Sequence, residues 1–302
     1  MMNCSLCYSD KIEQFLLAPD VHGRHLQSDE KFSVFRCSNC GVLFTGVRFS
    51  EDYYEKYYPD DYHKVESYHF LVSRLLKILK KASFNRRLRL MRRFGAIRGD
   101  VLEMGCGKGE FLDFLPASCH KYALEVSPAC QRYIQNHCPG VTLLNRMEEA
   151  LKSSQRYDVI LLWQVLEHLF EPVQALKNLS FLLKPGGVII FELPNAESLG
   201  LRWTKISWFH LDTPRHLFFF SKKNIEDMLK KNGLKIVYFG ANEIEYFQDL
   251  AVSLYQKYQT PWRFVNWLLG FCVIPLGLML RFLLSVMNTQ KAEINTYVVT
   301  RI

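Results

Sequence analysis

The sequence lacks the usual marks of export. Its first residues, "MMNCSLCYSDKIEQF", do not pass from basic to apolar to small side chains as a secretory signal does, so the expected compartment is the cytoplasm. It also lacks internal repeats and low-complexity tracts, which excludes repeat architectures and makes disorder a poor description of the chain. Acidic residues are in deficit, 30 against 38 lysines and arginines, and the net charge of +8 suits an acidic partner: nucleic acid, a phosphorylated substrate or an anionic membrane surface. Charge alone does not choose among them. Without an export signal, the nine cysteines point to metal or reduced thiols before disulfides. What is present is ample apolar material: 302 residues, 49% of them hydrophobic, enough for a large core and one or two domains.

Residues 1–50 hold Cys4-x2-Cys7 and Cys37-x2-Cys40 among short strand-like runs such as "KFSVFRC" and "GVLFTG". Two such pairs supply four thiolates, enough for a closed tetrahedral zinc site, and a closed site stabilises a small lobe rather than doing chemistry. Cys106, Cys119, Cys130, Cys138 and Cys272 lack such spacing and read as ordinary thiols. Residues 51–94 begin with the tyrosine-rich "EDYYEKYYPDDYH". They continue into a basic helix over about 68–94, with Leu71, Val72, Leu75, Leu76 and Leu79 at helical spacing. Its basic face is either solvated or turned to a membrane. From residue 95 to 240 strands and helices alternate: "DVLEMG", "KYALEV", "VTLLN", "YDVILLWQV", "GGVIIFELP" and "LKIVYFG" read as six strands, and "INTYVVTRI" (290–302) contributes a last one. Such alternation implies a largely parallel sheet covered on both faces, with ligands bound at the carboxyl ends of its strands.

The stretch "VLEMGCGKGEFL" after the first of these strands places Gly105, Gly107 and Gly109 where backbone must approach a ligand. It is not a dinucleotide fingerprint, because Glu110 at the start of the helix would oppose a pyrophosphate. A P-loop is excluded by the absence of Gly-Lys-Ser/Thr. A phosphate-free and partly cationic ligand remains, and S-adenosylmethionine fits that description. The run "LEMGCGKGEF" resembles motif I of the class I S-adenosylmethionine-dependent methyltransferases, and "ALEVSP", "YDVILLWQVLEHLFEP" and "LLKPGGVIIFELPN" come after it in that family's order. The resemblance implies an α/β, Rossmann-like fold. By position it also implies that Gly105, Gly107 and Gly109 admit the methionine part and ribose, and that Glu103 holds the amino-acid end. Glu125 would accept from the ribose hydroxyls, Gln164 would lie near the methionine moiety, and Asn145 or the backbone near Met147 would meet the adenine.

The combination of zinc lobe, tyrosine-rich segment and this core is similar to a branch of the family that contains bacterial sugar methyltransferases. Some of these methylate carbon and carry a Tyr-His-Glu-His motif. In "WFHLDTPRHLFFFS" only His216 with its following "LFFFS" matches; Arg215 replaces the acid and Pro214 the earlier histidine. A sugar hydroxyl is therefore expected as the acceptor before a sugar carbon. Methyl transfer to oxygen needs alignment and a base, and imidazole titrates near neutral pH, so His216 and His210 are the candidates. Asp212 is expected to orient one of them, Arg215 to hold an acceptor phosphate or carboxylate, and Trp203 and Trp208 to wall the pocket. His168 reads chiefly as capping or packing the helix after the fourth strand, with contact to the acceptor as the alternative.

Between the sixth and last strands, residues 241–289 form an apolar insert. Its run "FVNWLLGFCVIPLGLMLRFLLSVM" (264–287) is interrupted by Asn266, Pro275, Gly277 and Arg281. Because the last strand must rejoin the sheet, a bent hairpin dipping into one leaflet is expected rather than a span. Trp262 and Trp267 would sit at headgroup level, with Arg263 and Arg281 near phosphates. The alternative is a core or dimer helix pair. The expectation is a zinc-containing methyltransferase at the cytoplasmic membrane face with a small-molecule or lipid-linked sugar acceptor. "LEHL" and the insert also resemble ubiquinone-pathway methyltransferases, which makes a quinone-type, lipid-soluble acceptor the alternative. Nucleic acid is not expected as a partner, since "LPNAE" lacks the aromatic of an Asn-Pro-Pro-Tyr-type motif.

Overall fold

A computed structural model describes residues 3–20, 30–48, 50, 53–58, 70–241, 246, 248–260, 262–287 and 289–302. The amino-terminal region supplies β1 (Ile12–Pro19), β2 (Lys31–Cys37), β3 (Leu43–Thr45), the short α1 (Tyr53–Tyr57) and the long α2 (Phe70–Arg93). The main alternation consists of β4 (Gly99–Met104), α3 (Glu110–Phe114), β5 (Cys119–Leu124), α4 (Pro128–His137), β6 (Val141–Leu144), α5 (Met147–Lys152), β7 (Tyr157–Trp163), α6 (Pro172–Leu182) and β8 (Leu183–Pro194). After it come α7 (Leu199–Thr204), β9 (Phe218–Phe219), α8 (Lys222–Lys231), β10 (Leu234–Ala241), α9 (Asp249–Tyr258), α10 (Arg263–Met287) and β11 (Ile294–Arg301).

Seven strands form one sheet in the order β10-β11-β8-β7-β4-β5-β6. Neighbouring strands from β6 through β8 pair in parallel, while β11 runs antiparallel between β8 and β10. The chain leaves β4 toward β5 and β6, then returns to lay β7 on the other side of β4. That reversal opens a crevice at the carboxyl ends, the place where such sheets take ligands. The helices start where local chemistry dictates. Pro128 and Pro172 occupy first-turn positions, and Ser221 and Asn224 form a capping box at α8.

A second sheet of four strands has the order β1-β2-β3-β9, and its last strand comes from the loop after β8. Leu43 pairs with Phe219 and Phe44 with Phe218. Cys4, Leu6, Phe32, Cys37 and Phe44 pack in the same buried cluster as Leu102, Ile160, Ile189 and Phe218. The cysteine-bearing lobe thus shares its core with the main sheet through β9.

Helix α2 forms because residues 70–93 contain no glycine or proline and are rich in leucine, lysine and arginine; it stops before Gly95, which has φ +70°. The side chains of Leu71, Val72, Leu75 and Leu76 lie outside the described residues. Leu88, Leu90 and Met91 are buried against β4 and α3. The basic face is divided: Lys81, Arg89, Arg92 and Arg93 are exposed, whereas Arg86 and Arg87 turn inward to the buried carboxylate of Glu192. The guanidinium of Arg87 also lies 4.2 Å from the ring centre of Trp163.

The apolar insert is a helix pair. Helix α10 packs on α9 so closely that a Cβ on Gly277 would come within 2.5 Å of the Ala251 Cα. Arg281 does not lie at the surface as expected near lipid phosphates. Its Nε is 3.0 Å from Asp249 on α9, and both side chains are buried. The side chains of Arg263 and Trp267 lie outside the described residues. Among the described residues no helix is long and apolar enough to cross a membrane.

Candidate active site

The crevice is lined by the loops at the carboxyl ends of the parallel strands. After β4 the loop carries Gly105, Gly107 and Gly109, all with positive φ (65°, 56° and 70°). Their reasons differ. A Cβ on Gly105 would meet Val165 at 2.7 Å, so this glycine lets the loop pack against the one after β7. A Cβ on Gly107 would meet nothing within 4 Å, so its absence keeps the loop open toward the crevice. Glu103, at the end of β4, is buried.

Glu125 comes directly after β5 and is buried, and it joins two of these loops. Its Oε2 accepts from the Gly107 N–H at 2.8 Å, and its Oε1 accepts from the N–H groups of Val126 and Ser127, each at 2.8 Å. Burial raises its pKa above the ordinary carboxylate value even against these three donors. Met147 begins α5 after β6, partly buried against the core. Gln164 comes directly after β7 with φ +56°, a left-handed conformation that a residue with a side chain rarely adopts and that concentrates at functional positions. Its Nε2 is buried and meets no hydrogen-bond partner among the described residues. The structure therefore brings the glycine loop, Glu103, Glu125, Met147 and Gln164 to one end of the sheet. An open glycine cradle with an unsatisfied amide donor beside it suits a ligand with a carboxylate and hydroxyls, as S-adenosylmethionine has.

Beside this crevice lies the loop between β8 and α8. His216 is buried, and its Nδ1 donates to the His210 carbonyl at 2.8 Å. A carbonyl only accepts, so in the neutral ring the lone pair is on Nε2, which is 4.0 Å from Asp212. His210 is placed differently. Its Nε2 is 2.9 Å from the buried Asp249, the same carboxylate group that holds Arg281, so its ring ties the loop to the insert. Burial raises Asp249 to about 7.

Two expectations for this loop, and one for His168 in the loop after β7, need correction. Arg215 is buried between Asp20, at 2.6 Å, and Asp212, 2.9 Å from its Nε, so its charge is matched within the protein rather than offered to an acceptor anion. Trp208 is fully buried and donates to Glu293 at 2.7 Å, which makes it core and not pocket wall; Trp203 is 40% exposed. His168 is not a helix cap. Its Nδ1 lies 2.8 Å from the Tyr58 hydroxyl and 3.1 Å from the Arg215 carbonyl, and its ring centre is 4.6 Å from that of His216.

Sequence reasoning missed Glu167, Tyr58 and Asp249. Glu167 stands inside the apolar "WQVLEHLF", where the only signal was an acid in a run that has to be buried. Tyr58 lies in the tyrosine-rich segment, which gave no signal for this particular side chain, and Asp249 comes from the distant insert.

In the amino-terminal lobe the four expected thiols converge. Cys4 and Cys40 sulfurs are 3.7 Å apart, those of Cys7 and Cys37 3.5 Å, and all four lie within 4.8 Å of one another. Tetrahedral zinc with bonds of about 2.3 Å needs sulfurs roughly 3.8 Å apart, so this donor set fits the metal.

A family model described as a methyltransferase domain matches residues 67–238, more than half of the chain. The chain belongs to the methyltransferase-domain family. The methyltransferase is 27% identical over 150 residues to a ubiquinone biosynthesis O-methyltransferase of Rickettsia canadensis, covering 45% of this chain and 63% of that one. It is 30% identical over 101 residues to the enzyme of the same name from Coxiella burnetii, covering 32% and 43%. The chain thus spans less than two thirds of the length of these relatives. Among solved structures it is similar to magnesium protoporphyrin IX methyltransferase of Synechocystis with bound SAH, at 15% identity and a TM-score of 0.48, over 80% of this chain and 91% of that one.

Proposed function

We propose that this methyltransferase transfers a methyl group from S-adenosylmethionine to a hydroxyl of a small, lipid-soluble acceptor of quinone type. The observation that carries the acceptor class is the similarity to proteins named as ubiquinone biosynthesis O-methyltransferases. An exposed apolar face on α10, formed by Ile274, Leu276, Met279, Phe282 and Leu283, supports it, since an acceptor dissolved in lipid needs an enzyme that meets lipid. Trp262, largely exposed just before α10, suits the headgroup level. The sugar hydroxyl expected from the sequence has no counterpart among these named relatives and becomes the lesser reading.

In this reading Gly105, Gly107 and Gly109 admit the cofactor, Glu125 and Glu103 accept from its hydroxyls and ammonium, and Gln164 donates to its carboxylate. Met147 lies against the adenine. S-adenosylmethionine supplies the methyl group on a sulfonium when bound. His216 receives on Nε2 the proton that the acceptor hydroxyl loses, with its ring held by the His210 carbonyl. His210 serves as the anchor of that loop rather than as the base. Zinc on Cys4, Cys7, Cys37 and Cys40 holds the lobe against the loop.

The test is turnover of labelled S-adenosylmethionine by the purified protein with two acceptor sets, hydroxylated quinol precursors in detergent and nucleotide-linked sugars. Label in the quinol fraction is the expected result. Label only in the sugar fraction would return the acceptor to the sugar class.

A further inference from the structure

Glu167 is a carboxyl for which cofactor binding and proton removal have no use. It is 1% exposed, and neither of its oxygens meets a hydrogen-bond partner among the described residues. One of its oxygens and one ring nitrogen each of His168 and His216 lie within 4.8 Å of one another. The backbone keeps them together: the Leu217 N–H donates to the Glu167 carbonyl at 2.8 Å, tying the loop after β7 to the loop that carries His216.

The protonation of this trio is set by its surroundings. A buried carboxyl not matched by a cation sheds its charge by holding its proton. The guanidinium of the neighbouring loop, Arg215, is matched by Asp20 and Asp212. The titratable groups about Glu167 are His168 on its own loop, His216, Asp212 and Arg215 on the loop after β8, and Tyr58 beyond His168. Burial raises Glu167 to about 8, against the pull of its own backbone N–H, and the charge of Asp212 adds to the rise to a smaller extent. Desolvation, with His216 beside it, lowers His168 to about 3, which keeps that ring neutral. Its Nδ1 faces the Tyr58 hydroxyl at 2.8 Å and the Arg215 carbonyl at 3.1 Å; the carbonyl only accepts and a hydroxyl can accept, so the tautomer that serves both carries its proton on Nδ1 and its lone pair on Nε2.

We infer that Glu167, as an uncharged carboxylic acid, and His168, positioned by Tyr58, are acceptor-binding residues that select an acceptor uncharged at its reacting end. The acid donates to an acceptor oxygen, and the His168 Nε2 accepts from a hydroxyl. An anion entering there meets no unmatched cation among the described residues and would face Asp212. This rests on the assignment of His216 as base and of the adjoining crevice to the cofactor.

The experiment uses the full-length, zinc-replete protein saturated with S-adenosylhomocysteine. Two probes of similar shape with a single polar end, benzyl alcohol and benzoate, are titrated calorimetrically into wild type, E167Q and E167A below and above the Glu167 midpoint. The alcohol is expected to bind wild type at least tenfold more tightly than the benzoate at neutral pH. That preference should shrink as pH rises through about 8, where the ionised carboxylate can no longer donate. In E167Q the amide still donates and does not titrate, so alcohol binding should persist with that pH step gone. In E167A it should weaken about tenfold, the worth of one buried hydrogen bond.

Infrared difference spectra of wild type against E167Q report the carboxylic acid C=O band without any probe. The band should be present at neutral pH and absent above the midpoint. The proposal is overturned by an absent band at neutral pH, by equal binding of the two probes, by no binding of the alcohol, or by zinc or manganese tightening the benzoate at this trio. Failure of S-adenosylhomocysteine itself to bind would instead strike the cofactor assignment, while the infrared band still reports on Glu167.

Discussion

Glu125 and His216 sit on different loops and are proposed for separable tasks, which makes them the sharpest test at the scale of single residues. Glu125 accepts three backbone N–H groups and holds the glycine loop through Gly107. Glu125→Ala removes both a carboxylate for the ribose and a tie on the loop. Affinity for S-adenosylmethionine is expected to fall between about tenfold and a hundredfold, since hydrogen bonds to charged groups contribute about 1.5–3 kcal/mol. Calorimetric titration reads this directly, and an unchanged affinity would remove the ribose assignment. His216→Ala leaves that loop alone: cofactor affinity should hold while turnover drops by a factor of about 10² or more, the usual contribution of a positioned base. Normal turnover would move the base to another group. Glu125 was legible because a family motif marks it, and His216 because "LFFFS" comes after it. Glu167 was not, because a buried acid in an apolar run looks the same in sequence whether it is paired or alone.

Among the elements, the helix pair α9–α10 departs most from what its composition suggested. Interruptions at Pro275, Gly277 and Arg281 read as breaks in a membrane-dipping hairpin. In the structure Gly277 is the close contact with Ala251, and Arg281 the buried partner of Asp249. Gly277→Val would place its Cβ within 2.5 Å of backbone and force α10 off α9. Overpacking of that kind is expected to destabilise the protein by about 1–3 kcal/mol in denaturant melts. Because Asp249 also holds His210, the variant should reduce turnover as well. A stable and fully active variant would show that the pair is not anchored there. The basic helix α2 teaches the same lesson from the other side: Arg86 and Arg87 looked like part of one charged face and instead close on Glu192. A side chain's spacing assigns it to a face of a helix, and only the neighbouring element decides whether that face meets water.

For the molecule as a whole, the consequence lies in how the cysteine lobe and the site are joined. The second sheet ends in β9, only two residues after His216, and Thr45 donates to the His216 carbonyl at 2.6 Å. Arg215 joins Asp20 in the lobe to Asp212 in the loop. Removing metal from Cys4, Cys7, Cys37 and Cys40 is therefore expected to loosen the site as well as the lobe. Hydrogen exchange after chelation should rise in residues 212–220 together with 31–45, and added zinc should restore both. Faster exchange confined to 31–45 would show that the two are mechanically independent.

The sequence by itself determined the main sheet, its helices, the methyltransferase family and the two cysteine pairs. Strand periodicity, first-turn prolines, serine caps and closely spaced cysteine or glycine motifs are local signals, and their physics acts within a few residues. Tertiary structure decided the pairing of β3 with β9, the burial of Arg215, Trp208 and Arg281, the different partners of His210 and His216, and the meeting of Glu167 with two imidazoles. Each of these joins residues from different segments. Whether a charge is matched, a carboxyl neutral or a ring nitrogen left to bind depends on what another segment places within about 4 Å, and no local pattern encodes that.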